Sequence, residues 1–294
     1  MTAQAVSSPR RTRAGEGGGF NWRQPFVYVV AATAIAISVI PVLYVWIGGF
    51  RTSADLNADP AGWPNPWSFA NYATVLGSTR FWGSLFSSSL IAVATTLGVI
   101  LLGISAAYVL ARYSFRGRQW LYSFFTAGLL FPVTVAALPL TILLRNIGLH
   151  GTFLGLIIPQ VAFALPTTII ILVPFLRAIP KELEEAAALD GTSRIGFFWR
   201  IVLPLSGPGL VTVGVLAFIG SWNAYLLPLL LLATGGVPQE LWTLPLGVQQ
   251  FSTQYSQDTG AVLAYTSLAM IPALVFFLGA ERRIVGGLTG AVKG

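Results

Sequence analysis

The 294-residue chain is 55% hydrophobic and only 9% charged. An ordinary soluble chain of this length carries roughly 70 Asp, Glu, Lys and Arg residues, whereas this one carries 17 basic and 10 acidic residues. So little charge cannot keep so much apolar surface in water, which excludes a soluble domain and predicts an all-α integral membrane protein. Cysteine is absent and His150 is the single histidine, which excludes disulfides, thiolate nucleophiles, cysteine-ligated metals and any cluster of imidazole ligands. The net charge of +7 could match nucleic acid. The basic residues lie between apolar runs rather than along one stripe, however, so they are topology signals and no nucleic-acid partner is expected. Neither Lys181 nor Lys293 stands in a Gly-Lys-Ser/Thr setting, so the chain has no P-loop. Any nucleotide hydrolysis that drives it belongs to another chain.

In chain order, residues 1–25 form a basic, Gly-, Ser- and Ala-rich tail expected to be disordered, a topology signal that can also touch anionic lipid. Six stretches then lack Asp, Glu, Lys, Arg and His over a length that crosses a bilayer: 25–50, 81–111, 119–144, 151–176, 205–239 and 259–280. The first is longer than the apolar core of a cleaved signal and no small-residue cleavage site follows it, so it is expected to remain as a helix. Residues 26–80 therefore hold the first span and an external loop with Trp63, Trp67 and Tyr72 near its boundaries; residues 81–280 hold five more spans, and 281–294 a second tail. Fourteen of the 17 basic residues fall in the two tails and the second-to-third and fourth-to-fifth connections, against Arg51, Arg80 and Arg145 elsewhere. That bias predicts a multi-pass protein of the cytoplasmic membrane with both termini in the cytoplasm.

With no Asp, Glu, His, Lys or Arg in the six stretches, proton coupling within this chain is not expected, although a sodium site of carbonyls and hydroxyls stays open. Uncharged polar groups do occur there: Ser87–Ser89, Thr95, Thr96, Gln160, Thr167, Thr168, the run 221–225 and the run 265–267. Such groups either bond one helix to another or line a polar passage. Trp222, Asn223 and Tyr225 combine an amide with two aromatic rings, a set that suits an uncharged sugar as well as simple packing. Pro132, Pro139, Pro159, Pro166, Pro174, Pro228 and Pro272 interrupt the later stretches, as kinked or broken membrane helices allow.

The connection 177–204 holds four of the ten acidic residues and is too long for a turn. Pro180 suits the first position of a helix, and Glu182, Glu184 and Glu185 favour its positive end. Gly191 should stop that helix, with Thr192 or Ser193 capping the next. In the second helix Ile195, Phe198, Trp199 and Val202 fall at the spacing of one apolar face. Two short helices with an elbow are either a plug for a groove in another protein or a pair lying on the lipid.

Within this connection Glu185-Ala186-Ala187, three residues, Gly191, nine residues, Ile201, one residue and Leu203-Pro204 resemble, without insertion or deletion, the signature loop of ABC importer permeases. The segments 179–183, 190–193 and 107–112 and the pair Trp222-Asn223 are similar to the carbohydrate branch, and the ending 286–294 to the second permease of maltose-type pairs. Ala224 departs from the acidic residue often found after that Trp-Asn. The resemblance implies a type I ABC importer transmembrane fold of six helices with a cytoplasmic coupling loop. It implies partners: a second permease subunit in a hetero-dimer, an ATPase dimer that holds the ATP and magnesium, and an extracytoplasmic solute-binding protein. It implies no catalysis in this chain. It assigns ATPase coupling to Glu185, Ala186, Ala187, Asp190, Gly191, Ile201, Leu203 and Pro204, an ATPase-contacting tail to Lys293, and a candidate substrate passage to Trp222, Asn223 and Tyr225. A self-contained facilitator for a small polar solute is the alternative expectation.

Overall fold

The computed structural model describes residues 25–251 and 258–291, with side chains as far as 279. Among the described residues every regular element is helical. The chain divides into two compact units, one ending at Tyr44 and the other starting at Val45. Helix α1, Pro25–Gly48, contains Pro41 and no Asp, Glu, Lys, Arg or His. Its length and hydropathy suit a membrane span.

The second unit is built on α2, Thr79–Arg112, and α5, Phe153–Arg177. The two pack closely because glycine opens the seam. A Cβ on Gly103 would collide with the Thr168 methyl, and one on Gly98 would approach Val161 Cγ2 to 2.9 Å, the small-residue contact that lets membrane helices approach. Helix α8, Gly207–Trp222, packs on both, and α9, Thr259–Ala291, packs on α8.

The third apolar stretch is not one straight span. It forms α3, Arg118–Gly128, and α4, Val133–Asn146, which meet at 99°. Pro132 lacks an N–H and disfavours helical backbone at Phe131 before it. The bend stays satisfied because the N–H groups of Leu129, Leu130 and Phe131 donate to the carbonyls of Thr126, Ala127 and Gly128. The fourth-to-fifth connection forms α6, Glu182–Leu189, and α7, Arg194–Leu205, and α7 meets α8 at 73°. The fifth apolar stretch also ends early as a helix. After Trp222 the backbone passes through Leu226–Pro228, a π-helical turn at Leu229–Ala233, and short turns at Gln239–Leu241, Leu244–Gly247 and Val248–Phe251. Among the described residues four helices are long and apolar enough to cross a membrane, or up to six if each bent pair is one span. Hydropathy marks where apolar residues lie but not where a helix breaks: Pro132 stands at the 99° bend, whereas Pro41, Pro139, Pro159, Pro166, Pro174 and Pro272 lie inside continuous helices.

At the end opposite α6 and α7, polar side chains tie the loops down. Arg51 is 5% exposed and donates through Nη2 to the carbonyls of Asp55 (2.9 Å) and Asp59 (2.7 Å). Asn71 donates to the Gly49 and Arg51 carbonyls at 3.0 and 2.8 Å. His150 sits 3.2 Å from the Leu230 carbonyl and 3.3 Å from Thr234 Oγ1. Tyr72 donates to the Trp46 carbonyl (2.8 Å) and accepts from Ser267 Oγ of α9 (3.0 Å). Burial raises the Tyr72 pKa above its ordinary 10.0, partly offset by the Ser267 bond, so the hydroxyl stays a donor at neutral pH. Tyr72→Phe removes both bonds without changing shape and is expected to destabilise the purified protein by about 1–2 kcal/mol, measured as a lower thermal unfolding midpoint in detergent.

Candidate functional site

Two features of the second unit bear on function, the α6–α7 elbow and a cleft between the long helices. In α6, Glu182, Glu184 and Glu185 occupy the first turn, where carboxylates complement the helix dipole. The chain reverses at Gly191, whose φ is +74°. No atom lies within 4 Å of a Cβ added there, so glycine is required for its backbone conformation and not for space. Ser193 caps α7 by accepting from the Gly196 N–H at 3.1 Å.

The elbow has an inward and an outward side. Ala187, Phe197 and Val202 are buried in one core with Ile104, Tyr108, Leu172 and Leu176 of α2 and α5. Outward, Leu189 is 90% exposed, Ile195 73% and Trp199 55%. The expected single face of Ile195, Phe198, Trp199 and Val202 is therefore split. The cause is the π-helical turn Phe198–Val202, which takes an extra residue per turn and shifts every later side chain out of the 3.6-residue register. Of the residues singled out in the sequence, Glu185, Ala186, Asp190, Gly191 and Pro204 are exposed, Ile201 and Leu203 are half-buried, and Ala187 faces inward. Lys293 lies outside the described residues.

Sequence reasoning missed the residue that anchors the elbow. The Arg112 side chain, at the end of α2, is 4% exposed and lies 4.0 Å from Glu184. Its Nη2 donates to the Ile179 carbonyl at 2.8 Å. The signal was present as a lone basic residue closing a long apolar helix, but the sequence does not say which backbone it would meet.

The cleft has a volume of about 350 Å³ and lies among α2, the start of α4, α5 and α8; Thr95, Gln160, Phe163, Ser221 and Tyr225 line it. No Asp, Glu, Lys, Arg or His does so. Thr95 Oγ1 donates to Gln160 Oε1 at 3.4 Å. Gln160 Nε2 and Ser221 Oγ are buried without a hydrogen-bond partner among the described residues. Tyr225 accepts from Gln249 Nε2 at 2.5 Å. The candidate trio is thus divided. Tyr225 lines the cleft and Asn223 is exposed at the end of α8. Trp222 turns away, stacking on Phe218 at 5.5 Å and donating to the Ala269 carbonyl of α9 at 3.3 Å. Gln160 and Ser221 were visible as polar residues in apolar stretches, but only folding brings them to one cavity. The arrangement can bind neutral hydroxylated groups and has no set of side chains for proton relay or covalent chemistry.

Residues 99–282 match the family described as binding-protein-dependent transport system inner membrane component. The chain belongs to this family. It is 35% identical to the diacetylchitobiose uptake system permease protein of Streptomyces coelicolor over 255 residues, 86% of this chain and 83% of that one. It is 36% identical to the trehalose transport system permease protein of Mycobacterium tuberculosis over 275 residues, 92% of this chain and 98% of that one. In fold it is similar to a chain of a bacterial ABC transporter involved in the import of the acidic polysaccharide alginate, with a TM-score of 0.74 at 20% identity, covering 90% of this chain and 98% of that chain. The protein is thus an ABC importer permease subunit with a type I importer transmembrane fold, a multi-pass membrane component whose relatives are transport permeases.

The elbow geometry yields a direct test in this permease. Gly191→Val must hold a β-branched residue at positive φ, a cost on the order of 1–2 kcal/mol. The expected result is a normally inserted subunit with solute uptake reduced severalfold, measured in membrane vesicles, and with Gly191→Asn less affected because asparagine tolerates that conformation.

Proposed function

We propose that the chain forms half of the membrane passage of an ATP-driven importer of a neutral sugar or related polyol, working by alternating access. The other half is a second permease subunit, and an extracytoplasmic solute-binding protein delivers the sugar. Each permease rests on one member of a cytoplasmic ATPase dimer, which binds ATP and magnesium. Both termini lie in the cytoplasm, in keeping with the distribution of basic residues. The observation that carries the reading is the outward apolar tip of the elbow. Leu189, Ile195 and Trp199 are exposed while Ala187, Phe197 and Val202 of the same elbow are rooted in the span core. An apolar knob fixed to the spans suits a groove in a motor protein, and a self-contained facilitator has no use for one. Glu185, Ala186, Asp190, Gly191 and their neighbours then transmit movement, and the glycine-rich ending with Lys293 reaches the ATPases.

ATP binding draws the two elbows together, the rooted spans rock as bodies, and hydrolysis resets them. ATP and sugar act by stabilising different states of the same assembly. The absence of charge in the cleft supports a neutral substrate, as do relatives whose names refer to diacetylchitobiose and trehalose.

Because cysteine is absent, Leu189→Cys and Ser193→Cys are clean probes. Each is expected to crosslink to the ATPase in the assembled complex; crosslinks from neither would remove the elbow from the ATPase groove. Gln160→Leu deletes the amide from the cleft and is expected to lower sugar uptake about tenfold, the equivalent of roughly 1.4 kcal/mol of lost hydrogen bonding. Assembly and ATP-stimulated closure should persist, and unchanged uptake kinetics would exclude the cleft from the passage.

A further inference from the structure

The end of the bundle that carries α6 and α7 has a second cleft, which shares no lining residue with the one around Gln160. It lies between the end of α2, the start of α3 and the last residue of α5. Its volume is about 550 Å³, and Ser114, Gly117, Arg118, Gln119, Trp120 and Arg177 line it. Arg118 is held in place, with Nε donating to the Leu110 carbonyl at 2.8 Å and Nη2 to the Ala111 carbonyl at 3.5 Å. Those bonds leave Nη1 for a further acceptor. The Arg177 guanidinium lies over the Tyr122 ring, 5.8 Å from its centroid. Among the described residues the ion pairs are Arg80–Glu240 and Arg112–Glu184, so neither cleft arginine is neutralised by a carboxylate. Helix α3, 11 residues long, begins after Gly117 without a side-chain cap; the Arg118 N–H donates to the Phe115 carbonyl at 3.3 Å, and the N–H groups of Gln119 and Trp120 have no acceptor within the helix. Two guanidinium groups beside the positive end of a helix dipole call for an anion.

The flank of the cleft decides which anion. Trp120 and Phe124, one turn apart on α3, are 68% and 60% exposed, and their rings stack at 5.7 Å with 14° between planes. A soluble anion has no use for an apolar ledge beside its site, whereas a phospholipid has a phosphate for the arginines and acyl chains for the rings. Basic clefts of this kind at the cytoplasmic boundary suit anionic headgroups, and tryptophan favours the same depth. We propose that this cleft binds an anionic phospholipid, with the headgroup phosphate held by Arg118 and Arg177 and the chains lying along Trp120 and Phe124. The site needs only the folded subunit in its membrane and does not depend on which solute is carried.

Native mass spectrometry of the assembled transporter, with phosphatidylglycerol or phosphatidylcholine added, reads the retained lipid directly. The expected result is retention of phosphatidylglycerol over phosphatidylcholine. Arg177→Gln should lower that retention about fivefold, the size expected for one basic residue at an anionic surface, and Arg177→Lys should recover most of it. Trp120→Ala should lower it as well, which keeps the test informative if either arginine variant assembles poorly. Arg145→Gln removes the same charge at the other end of the bundle and should leave retention unchanged. Equal retention by the native protein, Arg177→Gln and Trp120→Ala would overturn the proposal. So would equal retention of the two lipids, or full displacement of phosphatidylglycerol by millimolar inorganic phosphate, which would make this a site for free phosphate.

Discussion

Hydrocarbon offers backbone N–H and C=O groups no water, so every turn of chain in the membrane must satisfy them internally. This single requirement orders the rest of the structure. It explains why the 99° break between α3 and α4 occurs with Leu129, Leu130 and Phe131 still bonded to carbonyls three residues back. It explains why the hydroxyls of Thr96, Ser105, Thr126 and Thr141 bond back onto carbonyls four residues earlier in their own helices. It also confines charge to the helix ends, where Arg51, Arg112 and Arg118 each hold main-chain carbonyls. Communication along the spans must therefore run through packing and not through a relay of charges.

The elbow shows which force does that work. The Arg112–Glu184 pair is 4.0 Å apart with Glu184 39% exposed, a geometry worth no more than about 1 kcal/mol. The bond from Arg112 to the Ile179 carbonyl is shorter and shielded, and a bond of that charge-assisted kind contributes about 1.5–3 kcal/mol. Burial of Phe197 and Val202 in the α2–α5 core adds about 1.5–3 kcal/mol for each side chain. Packing therefore dominates, with Arg112 supplying direction. An elbow rooted in this way cannot move without the adjoining halves of α2, α5 and α8, which share its core through Ile104, Leu172 and Val213.

Composition and hydropathy made the membrane class and the apolar stretches legible, since both depend only on transfer of side chains out of water. The elbow was legible too, because Gly191 and Ser193 act through local backbone chemistry that the sequence states outright. What could not be read were effects that depend on register or direction. The π-helical turn at Phe198–Val202 leaves no compositional trace, yet it moved Trp199 away from the face that holds Val202. Trp222 and Tyr225 are three positions apart, but α8 ends between them, so one packs on α9 and the other lines the cleft. Arg112 and Ile179 are 67 positions apart, a pairing that only the packing of α2 on α5 creates.

The cleft itself sets a limit on what the solute can do. Thr95, Gln160, Ser221 and Tyr225 present neutral hydrogen-bonding groups, of which Gln160 Nε2 and Ser221 Oγ have no partner among the described residues. Each neutral hydrogen bond to a ligand contributes about 0.5–1.5 kcal/mol net, with somewhat more where it relieves a buried unpaired group. A ligand must discriminate between two states by about 5.5 kcal/mol to carry an equilibrium from one side to the other. These few bonds differ between states by only a fraction of their sum, so on the proposed reading of this cleft as the passage, binding there selects and orients a solute but does not by itself turn the assembly over. That modest strength is also what a passage needs, because a solute bound more tightly would not leave. On the function proposed above, the remaining free energy enters where the structure is stiff and coupled to the spans, which is the elbow rooted beside Arg112.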